Sequence, residues 1–248
     1  MRIRDFLYTH LKKADFHERT LAFKLSSAAI LVSSFALNAN TQPKQNVTVI
    51  AVEYPPFTTA LQESNGVAFE LLRSALKQAP IELSADIVPP ARAQRTIAQG
   101  DWCASFYPPK QGDLGSDFVP LGETIDITLV SATLQPNFKL YGGVPFTNKK
   151  VAVLRPSKEG ELHQQLIQRG LELVFVESIY QGLEMLKKGR VNFAMGDKYS
   201  VASYQQNMDP TLEVALADAP LMSMPIGIFV NKDCETYSVL KLHLDAGN

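Results

Sequence analysis

Residues 150–197 run KVAVLRPSKEGELHQQLIQRGLELVFVESIYQGLEMLKKGRVNFAMGD. The stretches 150–154, 171–176 and 191–195 are short, apolar and β-branched, and between them apolar residues recur three and four apart. That alternation predicts strand, helix, strand, helix, strand. The first helix is expected over 159–168, closed by Gly170, and the second over 179–188, closed by Gly189. Ser178 with Gln181 three residues on makes a helix-start pair, and Ile179, Leu183 and Leu186 give that helix one apolar face.

Working outward, the earlier part of the chain repeats the plan. VTVIAV at 47–52 reads as a strand, and 66–78 as a helix with Val67, Leu71, Leu72, Ala75 and Leu76 at helical spacing. A strand over 81–88, a helix over 91–99 ended by Gly100 and a strand over 102–106 complete it. Even the second helix-to-strand joint is echoed, Ala98-Gln99-Gly100-Asp101 against Lys187-Lys188-Gly189-Arg190. The fold class is therefore α/β, as two lobes of similar plan, with a single larger doubly wound sheet as the competing arrangement. The stretch 121–149 has no helical pattern and reads as a crossover. Lobe I is expected over 40–130 with the chain returning at 225–248, and lobe II over 131–224.

Ahead of the first strand, residues 1–24 carry Arg2, Arg4, Lys12, Lys13, Arg19 and Lys24, and 25–39 is uncharged and largely apolar. Basic segment followed by a short apolar run is the order of a cleaved export signal, with Ser34, Ala36 or Ala39 near the processing point. The run is shorter than the roughly 20 residues that cross a bilayer, which makes an uncleaved anchor the lesser reading. With 24 Lys and Arg against 25 Asp and Glu, the chain has no basic field for a nucleic-acid backbone, so no nucleic-acid partner is expected. Its two cysteines, Cys103 and Cys234, are too few for a thiolate zinc site. They either pair in an oxidising compartment or stay as two buried thiols.

Ligands of open parallel sheets bind beyond the carboxyl ends of the strands, where loops diverge and helix N-termini present free N–H groups. Those positions hold Glu53, Tyr54 and Phe57, then Arg92, then Tyr107 to Lys110; in the second half they hold Arg155 and Ser157, Glu177 and Ser178, Asp197 and Tyr199. The candidate ligand-binding residues are Tyr54, Phe57, Arg92, Tyr107, Lys110, Arg155, Ser157 and Asp197, aromatic faces mixed with both signs of charge. Each has a plainer reading: Tyr54 to Phe57 as a rigid proline turn, Asp197 as a helix cap, Arg92 and Arg155 as solvated surface charges. Nucleophile-elbow, phosphate-loop, dinucleotide and zincin motifs are absent, and beyond the leader only His163 and His243 remain. No catalytic residue, metal or cofactor is expected.

The order and spacing of several of these pieces resembles the bacterial extracellular solute-binding proteins of family 3, which serve polar amino-acid ABC importers. The pieces are Glu53-Tyr54-Pro55-Pro56-Phe57, the helix start Gly66-Val67-Ala68-Phe69-Glu70-Leu71-Leu72, Pro90-Ala91-Arg92-Ala93, Lys149-Lys150-Val151-Ala152-Val153 and the run from Gly189 to Asp197. The resemblance spans about 47–232. It implies a type II periplasmic-binding-protein fold with a hinge of two crossing strands, near 128–134 and 224–230, and an interlobe cleft. It further implies that Tyr54 stacks on the solute, Asp197 takes an α-ammonium, and Ser157 with nearby N–H groups helps hold a carboxylate. The arginine usual in that family's amino-acid binders is replaced by Gly112, six residues before Phe118, which leaves Lys110 or Arg92 as stand-ins. The chain also ends about one helix early for that family. A monomeric periplasmic protein that captures a small polar solute for an inner-membrane permease is the expectation. A periplasmic lyase resembling the cyclohexadienyl dehydratases and a sensor module for a signalling partner are the alternatives on the same fold.

Overall fold

Three parallel strands open the architecture: β1 (Gln45–Ala51) pairs β2 (Ile81–Ile87) along its whole length and β3 (Ala104–Ser105) at its end. The computed structural model describes residues 44–109, 115–132, 146–156 and 160–246. The expected export signal, Lys110 and Ser157 lie outside the described residues. Helices α1 (Val67–Ala75) and α2 (Pro90–Gln99) make the two crossovers. The second half repeats the scheme, with β5 (Lys149–Leu154) parallel to β6 (Leu171–Val176) and β7 (Phe193–Gly196), connected by α3 (Glu161–Gln168) and α4 (Ile179–Lys187). Helix α5 (Lys198–Asn207) follows β7.

Two long antiparallel strands join the halves. β4 (Ser116–Ser131) pairs the later β9 (Met222–Asn231) from Ser116 to Ile127, then pairs β7 from Thr128 to Ser131 and the two-residue β8 (Ala215–Leu216). The strand order is β2-β1-β3-β9-β4-β7-β5-β6, one curled sheet of two parallel halves. β4 starts well before the 128–134 segment expected to cross. Pro120 and Gly122 break its alternation, and the structure accommodates them in a register shift between Pro120 and Thr124.

The buried side chains fall into separate cores. Val47, Val49, Phe69, Leu72, Ile228, Leu240 and others fill the first half, with Ile50, Val52, Val88, Ala93, Ile97 and Tyr107 on its opposite sheet face. Val130, Ala152, Leu183, Leu186 and Tyr204 form one core of the second half, and Leu129, Val151, Val153 and Leu166 another. Helix α6 (Tyr237–Ala246) returns Leu240 and Leu244 to the first core. A disulfide between Cys103 and Cys234, with Cα atoms 5.1 Å apart, ties the approach to β3 to the turn before α6. Of the two fates open to these cysteines, pairing is the one realised.

Local signals build these elements. Ser178 Oγ accepts from the Gln181 amide at 3.1 Å, and the Gln181 side chain accepts from the Glu177 amide at 2.7 Å. The pair thus satisfies two N–H groups at the start of α4, one residue earlier than the standard reciprocal box. Helix α1 has no side-chain cap; its first amides, Val67 and Ala68, donate instead to the carbonyls of Pro56 and Phe57 at 3.0 and 2.9 Å. Gly66 permits this closeness. Its φ is +95°, and a Cβ there would stand 2.5 Å from the Phe57 carbonyl oxygen. Gly66→Ala is therefore expected to cost about 2 kcal/mol or more, read as a lower urea midpoint at unchanged slope.

Candidate functional site

Most of the parallel strands are followed within a few residues by a residue named in the sequence analysis, and some of these meet across the two halves. After β1 the chain forms a tight loop: the Tyr54 amide donates to the Thr58 carbonyl at 2.8 Å, the Thr58 amide back to the Tyr54 carbonyl at 3.1 Å, and the Thr58 hydroxyl to the Val52 carbonyl at 2.6 Å. Glu53 Oε1 accepts from the Ala60 amide at 2.8 Å. This network, together with α1 docked on the Pro56 and Phe57 carbonyls, fixes the Tyr54 and Phe57 rings, whose centroids lie 6.0 Å apart.

After β7, Asp197 caps α5. Its Oδ1 accepts from the Tyr199 amide at 2.8 Å and the Ser200 amide at 3.0 Å, and its Oδ2 accepts from the Ser200 hydroxyl at 2.6 Å. The residue is only 1% exposed, so these donors replace water around a buried carboxylate. Tyr54, from the other half, stands near the same carboxylate. Burial first, then the nearby Asp197 charge, hold the Tyr54 phenol well above its ordinary pKa. Cap and cleft group are here one side chain.

Two more contacts cross between the halves. Phe57, buried, meets the Tyr199 ring edge-on at 6.0 Å. The Tyr107 hydroxyl donates to the Arg155 carbonyl at 3.0 Å. Tyr107 is 3% exposed, and burial pushes its phenol up to about 12, against the opposing pull of the Arg155 charge. Arg155 Nε donates to Glu177 Oε1 at 2.8 Å, with the guanidinium 5.8 Å from the Phe175 ring centre. Both partners are about two-fifths exposed, so the pair is solvent-screened and orients the guanidinium more than it stabilises the fold.

The structure thus groups Tyr54 and Phe57 with Asp197 and Tyr199, and separately pairs Tyr107 with Arg155. Arg92 stands apart on the first turn of α2, with its side chain exposed. Beside the cluster a cavity of about 150 Å³ is lined by Thr124, Asp126, Thr128, Asp197, Tyr199 and Asp218, among others. That is below the roughly 300–1,000 Å³ of ordinary small-molecule pockets. Thr124, Asp126 and Thr128 escaped the sequence reading, although their two-residue spacing against buried Ile125 and Ile127 carries the period of a half-buried strand. Ser200 also escaped it; the Asp197-x-x-Ser200 spacing at a strand-to-helix joint is the signal that finds it. His163 is occupied locally, its Nδ1 accepting from the Gly160 amide at 3.1 Å, and His243 Nδ1 lies 2.9 Å from the Val239 carbonyl in α6.

No family model matches the chain, and no curated protein does. Solved structures do match. An ancestral arginine-binding protein bound to arginine superposes with a TM-score of 0.66 at 17% identity, over 83% of this chain and 93% of its own. The GluR0 ligand-binding core from Nostoc punctiforme in complex with L-glutamate gives 0.62 at 15% identity, over 81% and 92%. ArtJ, the arginine-, lysine- and histidine-binding protein of Geobacillus stearothermophilus, gives 0.65 at 15% identity, over 81% and 88%. The chain shares with them the two-lobe α/β fold of type II periplasmic binding proteins.

Proposed function

We propose that this chain is an exported solute-binding protein that captures a small polar molecule bearing an ammonium group, an amino acid or a close relative, between its two halves. The single observation that carries the reading is the meeting of strand-end residues from the two halves, Phe57 against Tyr199 and the Tyr107 hydroxyl on the Arg155 carbonyl, with Tyr54 close to Asp197. Such a site touches both halves at once, so a solute held there favours the closed arrangement by its differential contacts. In this reading Asp197 accepts the ammonium, and Tyr54 and Phe57 cover the apolar part. Arg155 with Ser157 takes the anionic end, with Arg92 and Lys110 as the remaining cationic partners of this reading. Lobe I comprises 40–130 and 225–248, lobe II 131–224, and the hinge is the β4–β9 ribbon.

Three further observations support the setting. The Cys103–Cys234 bond suits an oxidising compartment. The basic-then-apolar leader suits export by a cleaved signal to the periplasm. The three superposed structures carry glutamate or basic amino acids in their names. A permease of the inner membrane would receive the solute from a monomeric carrier.

The test is a melting-temperature screen of the mature chain against the common amino acids and small organic acids, with Trp102 fluorescence as a second readout. Trp102 packs against the core that contains Tyr107. At a hundredfold excess over Kd, a solute that binds only the folded chain adds about 2.7 kcal/mol, a rise of several degrees. Saturable one-to-one stabilisation without product formation is the expected result. No shift with any compound, or turnover of one, would overturn the reading.

A further inference from the structure

The strand end that carries Arg155 is docked on the first half through its main chain. The Tyr107 hydroxyl donates to the Arg155 carbonyl at 3.0 Å, between the halves and across 48 positions of sequence. One residue earlier, the Leu154 side chain packs against the first-half core of Ile50, Val52, Val88, Ala93, Ile97 and Tyr107. Each side of this contact is held in place by its own half. Ser105, fully buried, donates its hydroxyl to the Tyr107 carbonyl at 2.7 Å and accepts from the Tyr107 amide at 3.0 Å. The Arg155 amide donates to the Val176 carbonyl at 2.9 Å, and its Nε to Glu177 Oε1 at 2.8 Å. A donor and an acceptor fixed in this way lose little freedom when they meet.

From this geometry we infer that Tyr107 is a positioning residue for capture: its hydroxyl, with the Leu154 side chain, docks the end of β5 on the first half when the halves come together, and so strengthens the binding of every solute by the same factor while touching none. The inference deepens the proposed function and rests on it for the solute; the docking itself involves protein groups alone. Two features separate this role from a solute contact. A phenol has a single proton to donate, and here a main-chain carbonyl receives it. The residue is also only 3% exposed, with its ring inside the first-half core.

The consequence is a separation of affinity from selectivity. Groups that touch the solute decide which solute is preferred. The Tyr107 bond is common to every closed complex, and the share of molecules that close scales each apparent Kd alike. The bond also places Arg155 from a second direction: Glu177 orients the guanidinium within its own half, whereas Tyr107 fixes the main chain relative to the other half. One such hydrogen bond is worth about a fivefold factor in an equilibrium constant.

The experiment compares the full mature chain with Tyr107→Phe, which keeps the ring in its core and removes only the hydroxyl. Two solutes from the melting screen that differ in side chain are titrated calorimetrically into each protein. Both Kd values are expected to rise about fivefold, with their ratio kept within about twofold. A larger change in the ratio would make the hydroxyl a solute contact and overturn the inference, and so would unchanged Kd values. Spin labels at Lys77→Cys and Gln164→Cys, exposed positions in the two halves, read the docking without solute. The population ratio of short to long label separations is expected to fall about fivefold in Tyr107→Phe. Equal distance distributions would overturn the docking role. If no solute binds either protein, the proposed function fails while the label distances still decide the role of Tyr107. Leu154→Ala, which trims the apolar part of the same contact and leaves Tyr107 in place, is expected to move distances and both affinities in the same direction. That variant carries the test if Tyr107→Phe does not fold, and wild-type distances in it would overturn the inference.

Discussion

Replacing both cysteines by alanine is expected to lower the melting temperature by about 10 °C. The Cys103–Cys234 bond closes a loop spanning 131 residues, and cross-links of that span are worth about 5 kcal/mol in chain entropy. For a domain of this size each kcal/mol moves the midpoint by about 2–4 °C. The loop encloses β3, β4, β9 and the whole second half, so the bond limits the unfolded chain far more than it shapes the folded one. It also anchors the turn before α6, whose Leu240 and Leu244 complete the first core. Calorimetry on the Cys103→Ala/Cys234→Ala double variant checks the value, and wild-type protein in strong reductant should track the variant. A midpoint within 2 °C of the oxidised wild type would mean that the two ends are held together by packing alone.

Asp197→Ala is expected to damage stability and capture together, and Asp197→Asn to separate them. Alanine removes the α5 cap, worth about 1–2 kcal/mol. It also strands buried donors of Tyr199 and Ser200, each costing about 1–3 kcal/mol where water cannot reach. The sum is about 3 kcal/mol or more. Asparagine keeps a carbonyl oxygen for the two amides and can turn its NH2 toward hydroxyls that accept as readily as they donate. Its stability cost should stay near 1 kcal/mol, whereas affinity for an ammonium-bearing solute should fall by about tenfold to a hundredfold with the lost charge. Urea melts and calorimetric titration of both variants give the two numbers. An Asp197→Asn protein that binds as tightly as wild type would reduce Asp197 to a helix cap.

What the sequence could reveal depended on how far each signal acts. The β-α-β units were legible because each is written locally: β-branched runs of five to seven residues, helical spacing between them, and Gly100, Gly170 and Gly189 with positive φ at the turns that end the helices. The strand-end rule then located Tyr54, Phe57, Tyr107, Arg155 and Asp197 without any knowledge of distance. β4 was harder to read. Its pattern SDFVPLGETIDITLVS is interrupted by Pro120 and Gly122, which argue for a loop unless one knows that Gly227 of β9 lies opposite Pro120. That partner is about a hundred residues away, and only the tertiary pairing supplies it. The approach of Phe57 to Tyr199 across the halves was equally out of reach, since the two rings are 142 positions apart in the chain.

The rest of the account depends on a solute lodged between the halves, and a crystal structure grown with the best compound of the melting screen addresses it directly. The account predicts density in contact with Asp197 and with the Tyr54, Phe57 or Tyr107 ring. A solute found only on the outer faces, away from Asp197, would contradict it.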